Sequence, residues 1–332
     1  MSIGWALRGS IGGGPLGAMI PGALWAMGLA RRGKWTHEQA SLFVGLAALG
    51  VGLGGQETYG QTIGLLREEP TRLWGLLGLT LKGAIWGMLA GTILTLAYHR
   101  PKRPLTISLL LIVATQLGWQ FINQTKLIYF SNPTLKPREE IWAGLLLSAL
   151  AVMLIQRSFR LPLYGAIGGA LGFGGGSLWN LVPIFDFPGW KMMEFTFGAI
   201  LGASMALAVP KETPPECPKP FRFQSLIFPI LAAATILLEM RLPLRFGFTA
   251  AVALLLIFLL RYPQLGWPQA FSVTLIAACV GLYAKHPYWA VAIAAIPTTY
   301  VEYKQAHTRL ALPILLIACC WIYCLEYFAI FR

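Results

Sequence analysis

Stretch after stretch of this 332-residue chain is long enough to cross a bilayer while carrying no more than two ionisable side chains. The threshold for crossing is about 20 apolar residues at helical rise. The clear stretches are 3–30, 41–66, 73–98, 105–122, 141–155, 163–182, 191–208, 225–240, 246–260, 269–284 and 310–331, and a weaker one at 288–300 is broken near its end by Pro297. Hydrophobic residues make up 56% of the chain and charged residues 12%, against the ~25% charged that soluble domains carry. A soluble fold of this size has too little interior to hide that much apolar surface. The sequence therefore predicts an all-α, polytopic transmembrane helix bundle with eleven or twelve spans.

Charge sets the expected orientation. The chain has 26 basic and 13 acidic residues, net +13, which in a soluble protein would suggest nucleic acid. Here the basic residues sit between apolar runs, the pattern of short cytoplasmic loops, so no nucleic-acid partner is expected. Arg31, Arg32 and Lys34, then Arg100, Lys102 and Arg103, then Arg157 and Arg160 mark inside loops; 67–72, 123–140 and the Asp186 loop fall outside. Run 3–30 has no basic leader and is followed by Arg31-Arg32, so it reads as a retained first helix with its N-terminus outside. The expected location is a bacterial inner (plasma) membrane. The alternation holds to about residue 224, beyond which Arg241 and Arg245 fall in a loop that the count places outside.

Residues 209–224 contain five prolines, which cannot continue a helix and so read as a cytoplasmic linker. It divides a glycine-rich portion, 1–208, from a plainer second portion, 225–332. The chain has 36 glycines, where average usage would give roughly 23. They concentrate in three runs, after Arg8, from Gly45 and from Tyr164. LGVGLGG (49–55) is like LGFGGGS (171–177), with Trp74 answering Trp190 and Gly83-AIWG answering Gly198-AILG. A second likeness pairs Arg8-GSIGGG with Tyr164-GAIGGA. The first implies a parallel repeat of glycine-rich helix pairs, the second an inverted one. Glycine at four-residue spacing, as at Gly168, Gly172 and Gly176, lets helix backbones approach closely in lipid. The sharper alternative is that 52–55 and 172–176 interrupt their helices and free backbone groups toward a polar site.

The five cysteines form no Cys-x-x-Cys pair, and His37, His99, His286 and His307 lie at or between helix ends. No metal, haem or other cofactor is expected. Chemistry then rests on intramembrane charge, which costs about 2.5–3.5 kcal/mol per group on insertion scales. Lys82 lies near mid-depth of the third span, and Glu57 sits in the polar segment Gln56-Glu57-Thr58-Tyr59-Gly60-Gln61-Thr62. Asn180, Asp186, Lys191 and Glu194 fall in the same outer half. The candidate binding set is thus Gln56, Glu57, Thr58, Tyr59, Gln61, Lys82, Asn180, Asp186, Lys191 and Glu194, with Lys82 paired to Glu57 or Glu194.

Simpler readings stand beside these. Lys191 and Arg8 are near enough to span ends to snorkel, Glu194 suits a helix N-terminus, and Glu57 would simply mark where its helix leaves the hydrocarbon. The triplets 67–69 and 138–140, each Arg-Glu-Glu, read as helix end caps. Asn123-Gln-Thr125 matches a glycosylation acceptor in a loop expected outside.

The function these features favour is a transporter or channel-like carrier of a small polar solute, an anionic one if Lys82 faces it. Glu57 or Glu194 would carry a coupling proton or sodium ion. The alternatives are an intramembrane enzyme acting on a lipid or lipid-linked substrate, with a carboxylate as general base, and a non-catalytic membrane assembly subunit.

Overall fold

In a computed structural model of the chain, residues 1–8, 14–33, 35–132, 137–182, 188–216 and 247–263 are described. They are mostly helical, with no strand among them. In chain order the helices are α1 (Ser2–Arg8), α2 (Gly14–Arg32), α3 (His37–Gly54), α4 (Gly60–Arg67), α5 (Arg72–Thr95), α6 (Pro104–Gly118), α7 (Trp142–Gln156), α8 (Arg160–Gly169), α9 (Gly189–Ala208) and α10 (Gly247–Arg261). Two segments, Glu69–Thr95 and Pro104–Asn123, are long and apolar enough to cross a membrane. The expected stretches 225–240, 269–284, 288–300 and 310–331 lie outside the described residues, as do all five cysteines.

Glycine shortens the helices that the apolar runs imply. Run 3–30 is not one helix. Its first part, α1, folds back on α2: the Gly4 Cα faces Pro21, and Gly17 faces Arg8. Run 41–66 is likewise two helices, since α3 stops at Gly54 and α4 starts at Gly60. Glycine is a poor helix former, so a helix loses little by stopping at a glycine pair such as Gly54-Gly55. The start of α3 is set by a capping box, in which Thr36 accepts from the Gln39 backbone and the Gln39 side chain accepts from Thr36 N. Pro104 opens α6, and Pro70 sits in the first turn of a 3-10 segment (Glu69–Thr71) leading into α5.

Close glycine contacts between antiparallel neighbours build a closed ring. Gly22 of α2 meets the Ala47 carbonyl of α3, and Gly50 and Gly54 of α3 meet Ala90 and Trp86 of α5. The tightest seam joins α5 to α8. A Cβ on Gly87 would collide with the Gly165 carbonyl oxygen, and one on Gly83 or Gly91 with the carbonyl of Gly169 or Leu161. Only glycine permits that approach. Gly168, Gly172 and Gly176 pack on α9, and Gly198 of α9 meets Ser2 and Trp5 of α1, closing the ring. Its centre is aromatic: Trp5 lies edge-on to Trp86 at 4.8 Å, and Phe173 and Phe197 meet at 5.0 Å. Outside the ring, α7 packs on α5, α6 on α7, and α10 on α6 and α3.

The two stretches alike in sequence differ in form. Residues 49–55 end a helix, whereas 170–175 continue α8 as a π-helical turn, and the position that answers Lys82 is Phe197. A second π-helical turn, Trp119–Asn123, extends α6. It brings the Asn123 carboxamide oxygen to the Ala143 N–H at 3.0 Å, satisfying a free donor at the start of α7. Asn123 is thus buried and engaged, which corrects its reading as a glycosylation acceptor.

Antiparallel packing gathers Arg31, Arg32, Arg100, Lys102, Arg103, Arg157 and Arg160 at one end of the ring. Residues 210–216 are non-helical and lie against that end, where Arg100 donates to the carbonyls of Pro215 and Glu216 and Gln39 donates to that of Pro214. The rest of the proline-rich stretch is not among the described residues. From the second portion, α10 packs directly on the first, with Ser108 of α6 donating to the Ala253 carbonyl at 2.6 Å.

Candidate functional site

At the other end of the ring the break between α3 and α4 carries Glu57, Thr58 and Tyr59 inward. Lys82 reaches it from α5, where it is fully buried. Its ammonium donates to the Thr58 carbonyl at 2.6 Å, the Thr62 hydroxyl at 3.1 Å and Glu140 Oε1 at 2.8 Å, and lies 3.2 Å from Glu57 Oε1. The helix break thus supplies a carbonyl that an intact helix would have used itself; it falls just after the glycine run expected to interrupt the helix, since 52–54 still belong to α3.

Glu140 is the residue that sequence reasoning misplaced. It is not an end cap of α7, whose first turn begins after Ile141. Its side chain is fully buried, with Oε1 accepting from Lys82 and from the Ser131 hydroxyl at 2.9 Å and Oε2 from the Phe130 N–H at 3.1 Å. The available signal was its position: it directly abuts an apolar run, while its neighbours Arg138 and Glu139 are exposed. The other triplet behaves as expected at a helix start, with Glu69 exposed and 3.8 Å from Arg72.

The two carboxylates differ. Every oxygen of Glu140 has a donor. Neither oxygen of Glu57 has a hydrogen bond of good geometry, although the Ile141 amide lies beside it. One ammonium therefore faces two buried acids, and the loosely held member is Glu57.

A second cluster lies across the Glu57–Tyr59 turn. Glu194, one turn into α9, does not pair with Lys82; it accepts from the Tyr59 hydroxyl at 3.0 Å and lies 3.7 Å from Arg8. Arg8 donates to the Tyr59 oxygen at 2.9 Å and to the Gly14 carbonyl at 3.3 Å. Its guanidinium packs over Trp86 at 4.8 Å, Tyr59 at 5.4 Å and Trp5 at 5.6 Å. Arg8 is 3% exposed, so it does not snorkel. Its burial follows from the fold-back of α1, which an unbroken first helix would not allow. Tyr59 stands edge-on to Phe173, held forward by the π-helical turn.

The remaining candidates are placed elsewhere. Gln56 pairs with Thr249 of α10 at 3.0 Å. Thr58 gives its carbonyl to Lys82 but turns its hydroxyl to the Glu139 carbonyl. Gln61 is half-buried in the first turn of α4. Asn180 accepts from Arg67 at 3.2 Å and donates to the Ser177 carbonyl. Lys191 is buried, not snorkelling, with its ammonium over the Trp190 ring at 4.9 Å. Asp186 is outside the described residues. No group of three or more His, Cys, Asp or Glu suited to a metal ion occurs among the described residues. No protein-family model matches the chain, and neither the curated proteins nor the solved structures give a match.

Proposed function

We propose that this chain is a multi-pass integral membrane protein that carries a small polar solute across the bilayer, with the Lys82–Glu57–Glu140 cluster as its intramembrane station. The observation that carries this reading is the buried ammonium, ten residues into a 24-residue apolar helix, compensated by two acids from different segments. Ionisable groups at such depth are costly and mark solute or ion pathways. All three ammonium hydrogens of Lys82 have acceptors, which favours a neutral or cationic solute over an anionic one.

The membrane setting is supported by what the helices expose. Leu105, Leu109, Ile112, Val113 and Leu117 line one outward face of α6, and Leu163, Ile167 and Leu171 continue along the α8 segment. In water such contiguous patches would drive association; in lipid they are solvated. The basic end fits the cytosolic side of a bacterial inner membrane. The broken α3–α4 junction and the π-helical turn at 170–175 supply irregular backbone next to the station, where transporters place it.

The test is two-sided access. In a variant lacking the five native cysteines, Gln61→Cys and Thr80→Cys proteins are reconstituted in vesicles and treated with a membrane-impermeant maleimide from either side. Reaction from both sides, with the balance shifted by a carried solute, is expected. Reaction from one unvarying side would favour an enzyme open to one leaflet or an assembly subunit instead.

A further inference from the structure

We infer that Glu57 is a proton-exchange site: within the carrier reading on which this rests, the ion that couples to transport is a proton taken up and released by the Glu57 carboxylate. The chemistry is one reversible step, in which a proton adds to a Glu57 oxygen and the carboxylate becomes a carboxylic acid, with no other bond changed.

Three observations point to this group. First, the charge count is uneven. Lys82 is the one cation in contact with Glu57 and Glu140 among the described residues, at 3.2 and 2.8 Å. A dry site with one positive and two negative charges is strongly disfavoured, and one added proton makes it neutral. Second, the two acids are unequal as proton acceptors. Glu140 receives the Lys82 ammonium, the Ser131 hydroxyl and the Phe130 N–H, so both of its oxygens are already occupied by donors and an added proton would compete with one of them. Glu57, 5% exposed, has no hydrogen bond of good geometry at either oxygen. The proton therefore goes to Glu57, and Glu140 remains the fixed counter-ion of Lys82. Third, Glu57 sits on a non-helical junction between α3 and α4, so it can turn without unwinding a helix.

The groups facing Glu57 from its neighbours are Lys82 of α5 and Glu140 with the Ile141 amide ahead of α7. Across the turn, Tyr59 leads to Arg8 of α1 and Glu194 of α9. Among the described residues, that second cluster sets one acid, Glu194, against one base, Arg8.

Infrared spectroscopy of the full chain in lipid nanodiscs tests the assignment without knowledge of the solute. The wild type is expected to show one buried carboxylic-acid C=O band that fades reversibly as pH rises. Glu57→Gln abolishes it, Glu57→Asp moves it to the frequency of an aspartic acid, and Glu140→Asp leaves it where it was. A band that moves with Glu140→Asp overturns the assignment. So does the lack of a carboxylic-acid band at any pH in folded protein; if the spectrum then responds to sodium, the site takes a metal cation. A titrating Glu57 in a protein whose labelling remains one-sided would sink the carrier reading and leave the proton site standing.

Discussion

The Arg8 and Lys82 clusters share a turn of backbone, and they are built on opposite plans. Around Arg8, one acid meets one base, a tyrosine hydroxyl bridges them, and three aromatic rings pack against the guanidinium. Around Lys82, two acids share one base, and one of them is left without a well-formed hydrogen bond. The first plan matches one charge with one opposite charge among the described residues, which lowers the cost of burying each. The second keeps a surplus negative charge beside Lys82 among the described residues. Matched charges are what link α1 to α9; surplus charge is what a cycle of protonation or solute binding can use.

Substitutions can break or sharpen that contrast. The largest loss is expected for Lys82→Met, which leaves two uncompensated buried acids; removing one partner of a buried pair costs about 3–5 kcal/mol, and this variant should sit at the upper end in denaturant or thermal unfolding in detergent. Arg8→Met should cost less, about 3 kcal/mol, because Glu194 keeps its Tyr59 donor. Adding Glu194→Gln to it should restore much of the stability, as expected where the charges existed only for each other. Tyr59→Phe comes next, at about 1–3 kcal/mol for unpaired buried groups, and should leave the infrared signature of Glu57 intact. If Tyr59→Phe instead removed that band, the two clusters would be one coupled unit, and the contrast between them would fail.

Much of this was legible in the sequence. Lys82 and Glu57 stood out because each interrupts an apolar run, and burial forces such groups to find each other. The glycine run at 52–55 lies next to the break that delivers Glu57, although 52–54 remain helical. What escaped depends on contacts between distant segments. Glu140 follows Arg138 and Glu139, a mixed-sign stretch that looks solvated; its burial is decided by Ser131 and the Phe130 amide, which no periodicity reveals. Arg8 looked able to snorkel because run 3–30 reads as one helix, and only the packing of Gly4 on Pro21 shows the fold-back that sends it inward. Gly168, Gly172 and Gly176 were visible as a spaced set, but their partner, the 193–204 face of α9, is fixed by which helices become neighbours.

The central claim is that Glu140 is a fixed counter-ion and Glu57 the surplus acid, and comparing the unfolding midpoints of Glu57→Gln and Glu140→Gln in one detergent tests it most directly. The account predicts that Glu57→Gln leaves the midpoint unchanged or raises it, within about 0.5 kcal/mol of the wild type or better. Glu140→Gln, which disturbs the donors at Ser131, Phe130 and Lys82, lowers it clearly. Equal losses from the two variants, or a larger loss from Glu57→Gln, would contradict it.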